Sequence, residues 1–336
     1  MNLTLMKTGS CILGLILFFA TALFAQQQQT PYKILKTIPV SGNGSWDYLT
    51  LHVSTHRIFV SHGDYVQVMD TKTGKQVGII KPTPGVHGIA ISDSGKGFIS
   101  CGKIDSVIVF DLNTYKITDK IPTGKDPDAI VFDPFSNRVF VFNSKGNSMT
   151  VVDALTNSVL STIRLRGNPE FAVADGSGNL YVNIQNLGMV IRIDVTKLLI
   201  TSMYPVGPGT QPTGMALDKG NNNLFCGCSG TNELVVLNLE SGLVISRIPI
   251  GWHCDGVSFM PALGEIFTSN GEGTITVIHQ DAPDKFSKTQ TLITKRGART
   301  LTCDYVTKSL YLPVAEFNDV TKEYTKNSFQ LLVVGR

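Results

Sequence analysis

Short runs of apolar residues recur along the chain at a fixed interval, and each run is closed by a polar turn. The segments VQVMDTKTGK, VIVFDLNTYK, MTVVDALTNS, VIRIDVTKLL, LVVLNLESGL and ITVIHQDAPD carry the pattern most clearly. Their marker residues Asp70, Asp111, Asp153, Asp194, Asn238 and His279 lie 41, 42, 41, 44 and 41 positions apart. A second strand precedes each marker, as in RIFVSH or RVFVFN, and a third follows, as in VGIIKP or VISRIPIG. With an opening strand such as DAIVFDP, Asp128 to Pro134, each unit holds four strands. Helical repeats of this length show a 3.6-residue period, which these period-two runs lack. Four short strands per unit at this spacing predict a β-propeller.

The last unit, Ala298 to Arg336, supplies only three strands: an opening strand, Ser309 to Val314 and Phe329 to Val334. The missing strand stands at the start of the repeats, where residues 32–40 (YKILKTIPV) repeat the IPTG and IPIG strand endings. Pairing the two closes a ring and removes an exposed edge. The expectation is an all-β, seven-bladed β-propeller with four antiparallel strands per blade, closed by the N-terminal strand. The marker Asp70, Asp111, Asp153 and Asp194 read as turn-holding residues.

Composition refines this picture. Residues 1–25 have the form of an export signal: one cation, Lys7, an apolar run from Cys11, and a small-residue stretch ending at Ala25. Residues 26–336 then form the single propeller domain, secreted or periplasmic after cleavage. No later run approaches the roughly 18–20 apolar residues of a membrane helix. The part after the signal carries 28 basic and 26 acidic residues, a balance that argues against nucleic acid as a partner. Only 16% of the chain is charged while glycine reaches 32 residues, as tight turns between packed strands require. Five cysteines follow the signal, Cys101, Cys226, Cys228, Cys254 and Cys303, with no disulfide framework in their spacing.

The repeats resemble the YVTN/YncE-type seven-bladed β-propeller repeat. The best copy is KDPDAIVFDPFSNRVFVFNSKGNSMTVVDALTNSVLSTIRLRG, Lys125 to Gly167, and the resemblance spans Tyr32 to Arg336. Blades 4 and 6 depart from it with strands ending IRID and VIHQ, and blade 7 carries an insertion, Ala315 to Asn327. The resemblance implies the fold and an exported protein, and no activity.

Stacking the blades exposes a polar column at the start of the innermost strands: Asp47, His87, Asp128, Glu170, Thr213, Asp255 and Arg299. Seven equivalent positions on the strands around a channel form a ring at one mouth. The second strand returns to that face and brings His62, Cys101, Asn143, Asn183, Cys228 and Asn270, with Glu316 near the register in blade 7. A mouth with convergent polar groups predicts binding of a small molecule, glycan or envelope protein by a monomer. The bland alternative is that acidic residues at strand starts only cap turns.

The same residues offer other chemistries. Asp47, Asp128, Glu170 and Asp255 are hard-cation ligands by type, but Arg299 competes for them, and no metal is assigned. Cys226, Cys228, His253 and Cys254 lack an established metal spacing. Acid-base catalysis at the mouth by His87 or His62 gives the enzymatic alternative, a lactonase-like hydrolase or lyase, by analogy with enzymes of this fold. A third alternative is an envelope scaffold acting through its rim loops. No phosphate loop, nucleophile elbow or HExxH motif is present, two tryptophans do not make a quinone-cofactor propeller, and no cofactor is indicated.

Overall fold

The computed structural model describes residues 30–42, 45–208 and 210–336, so the expected export signal, residues 1–25, lies outside the described residues. Residues 31–336 form one compact unit. It contains seven four-stranded antiparallel sheets arranged as the blades of a propeller. No helix among the described residues is long and apolar enough to cross a membrane.

Blade 3 shows how sequence becomes structure. Its innermost strand is Pro127–Asp133, followed outward by Arg138–Asn143, Ser148–Asp153 and Val159–Arg164. The two middle strands are packed on both faces by neighbouring blades, so apolar residues run through them almost continuously, and Phe140, Phe142 and Val151 are fully buried. The outermost strand is mostly exposed and alternates with polar residues. Such an edge invites pairing with another chain. Blades 1 to 6 blunt it with a register shift between the two outer strands, as at Val151/Val152 and Val236/Leu237. Proline at the strand ends, as in Pro122, Pro205 and Pro249, removes a donor from several of these edges.

The marker aspartates act as expected. Asp153 Oδ1 accepts hydrogen bonds from the Leu155 and Thr156 amides at 2.9 and 2.8 Å, and Asp70, Asp111 and Asp194 do the same in their turns. A second set, including Asp133, Asp175, Asp218 and Asp304, caps the turns between first and second strands.

Ring closure follows the sequence reading. Blade 7 has the strand order Thr302–Asp304, Ser309–Val314, Gln330–Gly335 and then Lys33–Pro39, so its outermost strand comes from the beginning of the propeller. Lys33 pairs with Gly335 and Pro39 with Gln330. The insertion in blade 7 forms a small hairpin, Phe317–Asn318 with Glu323–Tyr324. It covers Trp46, whose ring lies 4.7 Å from Tyr324 and 5.4 Å from Phe329.

Candidate functional site

Each mouth residue stands at the entry to an innermost strand, and the backbone of Asp47, Asp128, Thr213 and Arg299 is tied to the neighbouring blade. Ser100 of blade 2 donates to the carbonyl of Asp128 in blade 3, and Asn183 of blade 4 to that of Thr213 in blade 5. Thr213 Oγ1 donates to the Cys254 carbonyl at 2.5 Å, Ser269 to the Arg299 carbonyl at 2.5 Å, and Thr300 to the Asp47 carbonyl at 2.7 Å. These side chains lace the inner strands around the ring and fix where the mouth side chains start. The lacing works at very short range: a Cβ on Gly214 would meet the Val257 nitrogen at 2.8 Å, so adjacent backbones touch there.

Two ion-paired groups result. His87 Nδ1 lies 2.8 Å from Asp47 Oδ2 and 3.6 Å from Asp128 Oδ1. Arg299 Nε donates to Asp255 Oδ2 at 2.7 Å, and its Nη2 lies 3.7 Å from Asp47 Oδ1. Gly102 leaves space for the imidazole, since a Cβ there would sit 3.0 Å from His87 Nε2. Glu170, by contrast, has neither a hydrogen bond nor an ion pair among the described residues. Asp128 Oδ1 is a buried oxygen with no hydrogen-bond partner.

Four carboxyls thus face two cations in a half-buried space, and their protonation reflects it. Burial, then the charges of Asp128, Asp255 and Asp47, push Glu170 up to about 9. Burial and the Asp47 charge, offset by His87, push Asp128 up to about 7. Asp255 is raised by burial against the pull of Arg299. Burial works against a charged His87, but the hydrogen bond to Asp47 and the charges of Asp128, Asp47 and Asp126 prevail and raise it to about 9.

Tyr48 and Phe171 complete the mouth and were not singled out from the sequence. Their rings, from blades 1 and 4, meet across the channel at 5.3 Å. Burial and the surrounding carboxyls, Asp128, Asp47, Glu170 and Asp255, hold the Tyr48 hydroxyl well above its ordinary pKa. The signal lay in the column just after the mouth residues, which reads Tyr48, Gly88, Ala129, Phe171, Gly214, Gly256 and Thr300. Five small residues there leave room for two large ones.

Several expected site residues lie elsewhere. Thr213 is buried, and its hydroxyl is used in the lacing just described, as is the Asn183 amide. Asn143 and Asn270 are fully buried and bond to Ser148 and Thr150, and to Thr274 and Thr276, on the adjacent strand. His62 is fully buried between Tyr65 and Phe329, with Nδ1 on Gln67. Their side chains therefore belong to the blade interior rather than the mouth: the Asn143, Asn183 and Asn270 amides, the Thr213 hydroxyl and His62 Nδ1 find partners there, although Asn143 Oδ1, Asn183 Oδ1 and His62 Nε2 stay unpartnered among the described residues. Glu316 is accessible but stands on the insertion, paired with Lys295 and Gln330. Asp47, His87, Asp128, Glu170, Asp255 and Arg299 remain at the mouth.

The metal readings separate in the same way. Cys226 and Cys228 pack toward blade 4, whereas Cys254 packs on the other side of their sheet, so the sheet divides that set. Donor atoms of Asp47, His87 and Asp128 do lie within 4.8 Å of one another. The imidazole nitrogen in that group is occupied by Asp47, and Glu170 and Asp255 stand outside it.

No family model and no curated protein matches the chain. Solved structures do. The crystal structure of RRP9 WD40 repeats superposes with a TM-score of 0.77 at 12% identity, covering 89% of this chain and 97% of that one. The structure of U3-55K gives 0.76 at 11% identity, covering 88% and 97%. At such identities the likeness shows the β-propeller fold alone.

Proposed function

We propose that this propeller is a binding protein whose mouth receives the cationic group of a small molecule, an amino sugar within a glycan, or a partner protein's lysine or arginine. The observation that carries the reading is Glu170, a carboxyl without a partner beside three others that two cations only partly balance. An ammonium group placed there supplies the missing charge and displaces the proton that Glu170 holds. Binding at pH 7 then releases about one proton per ligand.

Three probes separate the classes: cadaverine for small amines, glucosamine for glycans and a lysine-rich peptide for proteins. At least one should raise the melting temperature of the wild-type chain, with proton release seen by calorimetry in buffers of different ionisation enthalpy. Glu170→Gln and Asp255→Ala should fold and lose the response. Silence toward all three probes, or a response that survives Glu170→Gln, overturns the reading.

An enzymatic reading, a hydrolase or lyase at the same mouth, keeps one observation in its favour. Asp128 at about 7 and His87 at about 9 lie on either side of a mildly alkaline pH, as a catalytic base and acid do. In that case His87 is the acid and Asp128 the base, because His87 is held protonated and His62 is sealed in the blade. A bell-shaped rate profile lost in Asp128→Asn tests it. The exported setting rests on the signal-like residues 1–25, and the YVTN/YncE-type assignment on the repeat residues.

A further inference from the structure

The channel continues beyond the Tyr48 and Phe171 rings as a cavity of about 490 Å³, a size at which small molecules are bound. All seven innermost strands line it, and its wall is mainly apolar, with Val131, Val173, Leu217 and Leu301 among its residues. The five residue steps from Ala129 to Pro134, just past the strand end, give it a depth of roughly 17 Å at the usual rise. The two rings separate it from the carboxyls of the mouth, except for Asp255, which borders both.

Its open end lies on the opposite face and differs in chemistry from the mouth. Pro134 and Tyr305 belong to the cavity wall, and the exposed surface beside them is apolar: Phe135 is 57% exposed, Tyr305 57% and Val306 74%. Apolar surface continuous from a cavity to its rim marks a binding site more often than a structural need. One cation stands in the wall, Lys219. A Cβ on Gly176 in blade 4 would lie 3.5 Å from its Nζ, so the ammonium of this blade 5 residue leans across the rim toward the neighbouring blade. No carboxylate among the described residues pairs with it.

From this arrangement we infer a second site, for a single-chain amphiphile with an anionic head: the acyl tail fills the channel from the far face and the head sits on Lys219. The depth suits a medium-length acyl chain. The tail gains from leaving water, while a carboxylate head forms a charge-assisted bond with Lys219, the neighbouring carboxylates Asp133, Asp175, Asp218 and Asp304 being engaged by the amides of their own turns. The site shares Tyr48, Phe171 and Asp255 with the mouth but takes its head group at the opposite end, so either reading stands if the other fails.

Decanoate, below its micellar concentration, is the probe, with decylammonium and decan-1-ol as head-group controls, measured by calorimetry on the full chain. Wild type should bind decanoate at least tenfold more tightly than decylammonium. Lys219→Glu, a surface change expected to melt like wild type, should reverse that preference. Val173→Trp should abolish binding by filling the channel, and Val131→Phe serves if the tryptophan variant does not fold. Absence of decanoate binding, equal binding of the two charged probes, or binding that survives channel filling overturns the inference.

Discussion

The guanidinium of Arg336 lies 4.2 Å from the ring centre of Tyr32, and both residues reach the same buried carboxylate, Glu265 of blade 6. The Tyr32 hydroxyl donates to Glu265 Oε2 at 2.6 Å, and Arg336 pairs with Oε1. The two strands that close blade 7 are thus fastened to the preceding blade at one point. Glu265→Ala should destabilise the protein by roughly 1–3 kcal/mol, the cost of leaving the buried Tyr32 hydroxyl without its acceptor and losing the pair with the more exposed Arg336. Urea unfolding measures it. Deletion of residues 32–40 should cost far more, and a truncated chain that melts like the full one contradicts closure.

Stability should fall as pH rises from about 5 to 9. Glu170 and Asp128 have folded pKa values of about 9 and 7, so the folded state keeps protons that the unfolded state has already released above pH 4–5. His87 contributes in the same direction: its stabilisation is complete below about 6.5 and is lost as pH rises through about 9. Below pH 4 the turn carboxylates oppose the trend, since Asp70, bonded to the Thr73 amide and to Arg57, is lowered to about 2 and gives up its stabilisation on protonation. Glu170→Gln should flatten the alkaline arm and raise the melting temperature at pH 8 by about 2–4 °C, the shift that ~1 kcal/mol produces in a sizeable domain. A melting temperature that is flat across this range removes the basis for a crowded acidic mouth.

Trp46 reports on the blade 7 hairpin. It is buried beneath Tyr324, whereas Trp252 is 44% exposed. In a Trp252→Phe background, Tyr324→Ala should shift the remaining tryptophan emission to the red and increase its quenching by acrylamide. Unchanged emission means that the hairpin does not shield the entry to blade 1.

The five described cysteines should resist Ellman's reagent in the native state and react on unfolding. All are buried and unpaired, and burial pushes the thiols of Cys101, Cys228 and Cys303 up to about 12. Rapid native labelling of any of them contradicts the packing described.

The fold was readable because a propeller writes each blade as a local unit. The turn aspartates, the two buried middle strands and the missing strand of blade 7 all follow from residues close in sequence or from counting. The mouth column was readable for the same reason, as a position that repeats. What the repeat conceals is any relation between non-adjacent blades. Tyr48 and Phe171 touch across the channel although each blade alone gives no hint of its partner. Nor does period two tell which way a strand-end residue turns. His62 and Glu170 occupy comparable polar positions at the same face, yet one is sealed between aromatic rings and the other faces the channel.

Blade 7 also imposes an order in time. Six blades are built from contiguous chain and can form as their residues become available, but residues 33–39 must wait for residues 330–335 before they have a partner. Until then the ring is open, and the apolar faces of blades 1 and 6, including Leu49, Val60, Phe267 and Val277, lack the blade that covers them. Such a long-range final step is slow, and its waiting state is adhesive. Refolding yield should therefore depend on protein concentration more than native stability alone would suggest.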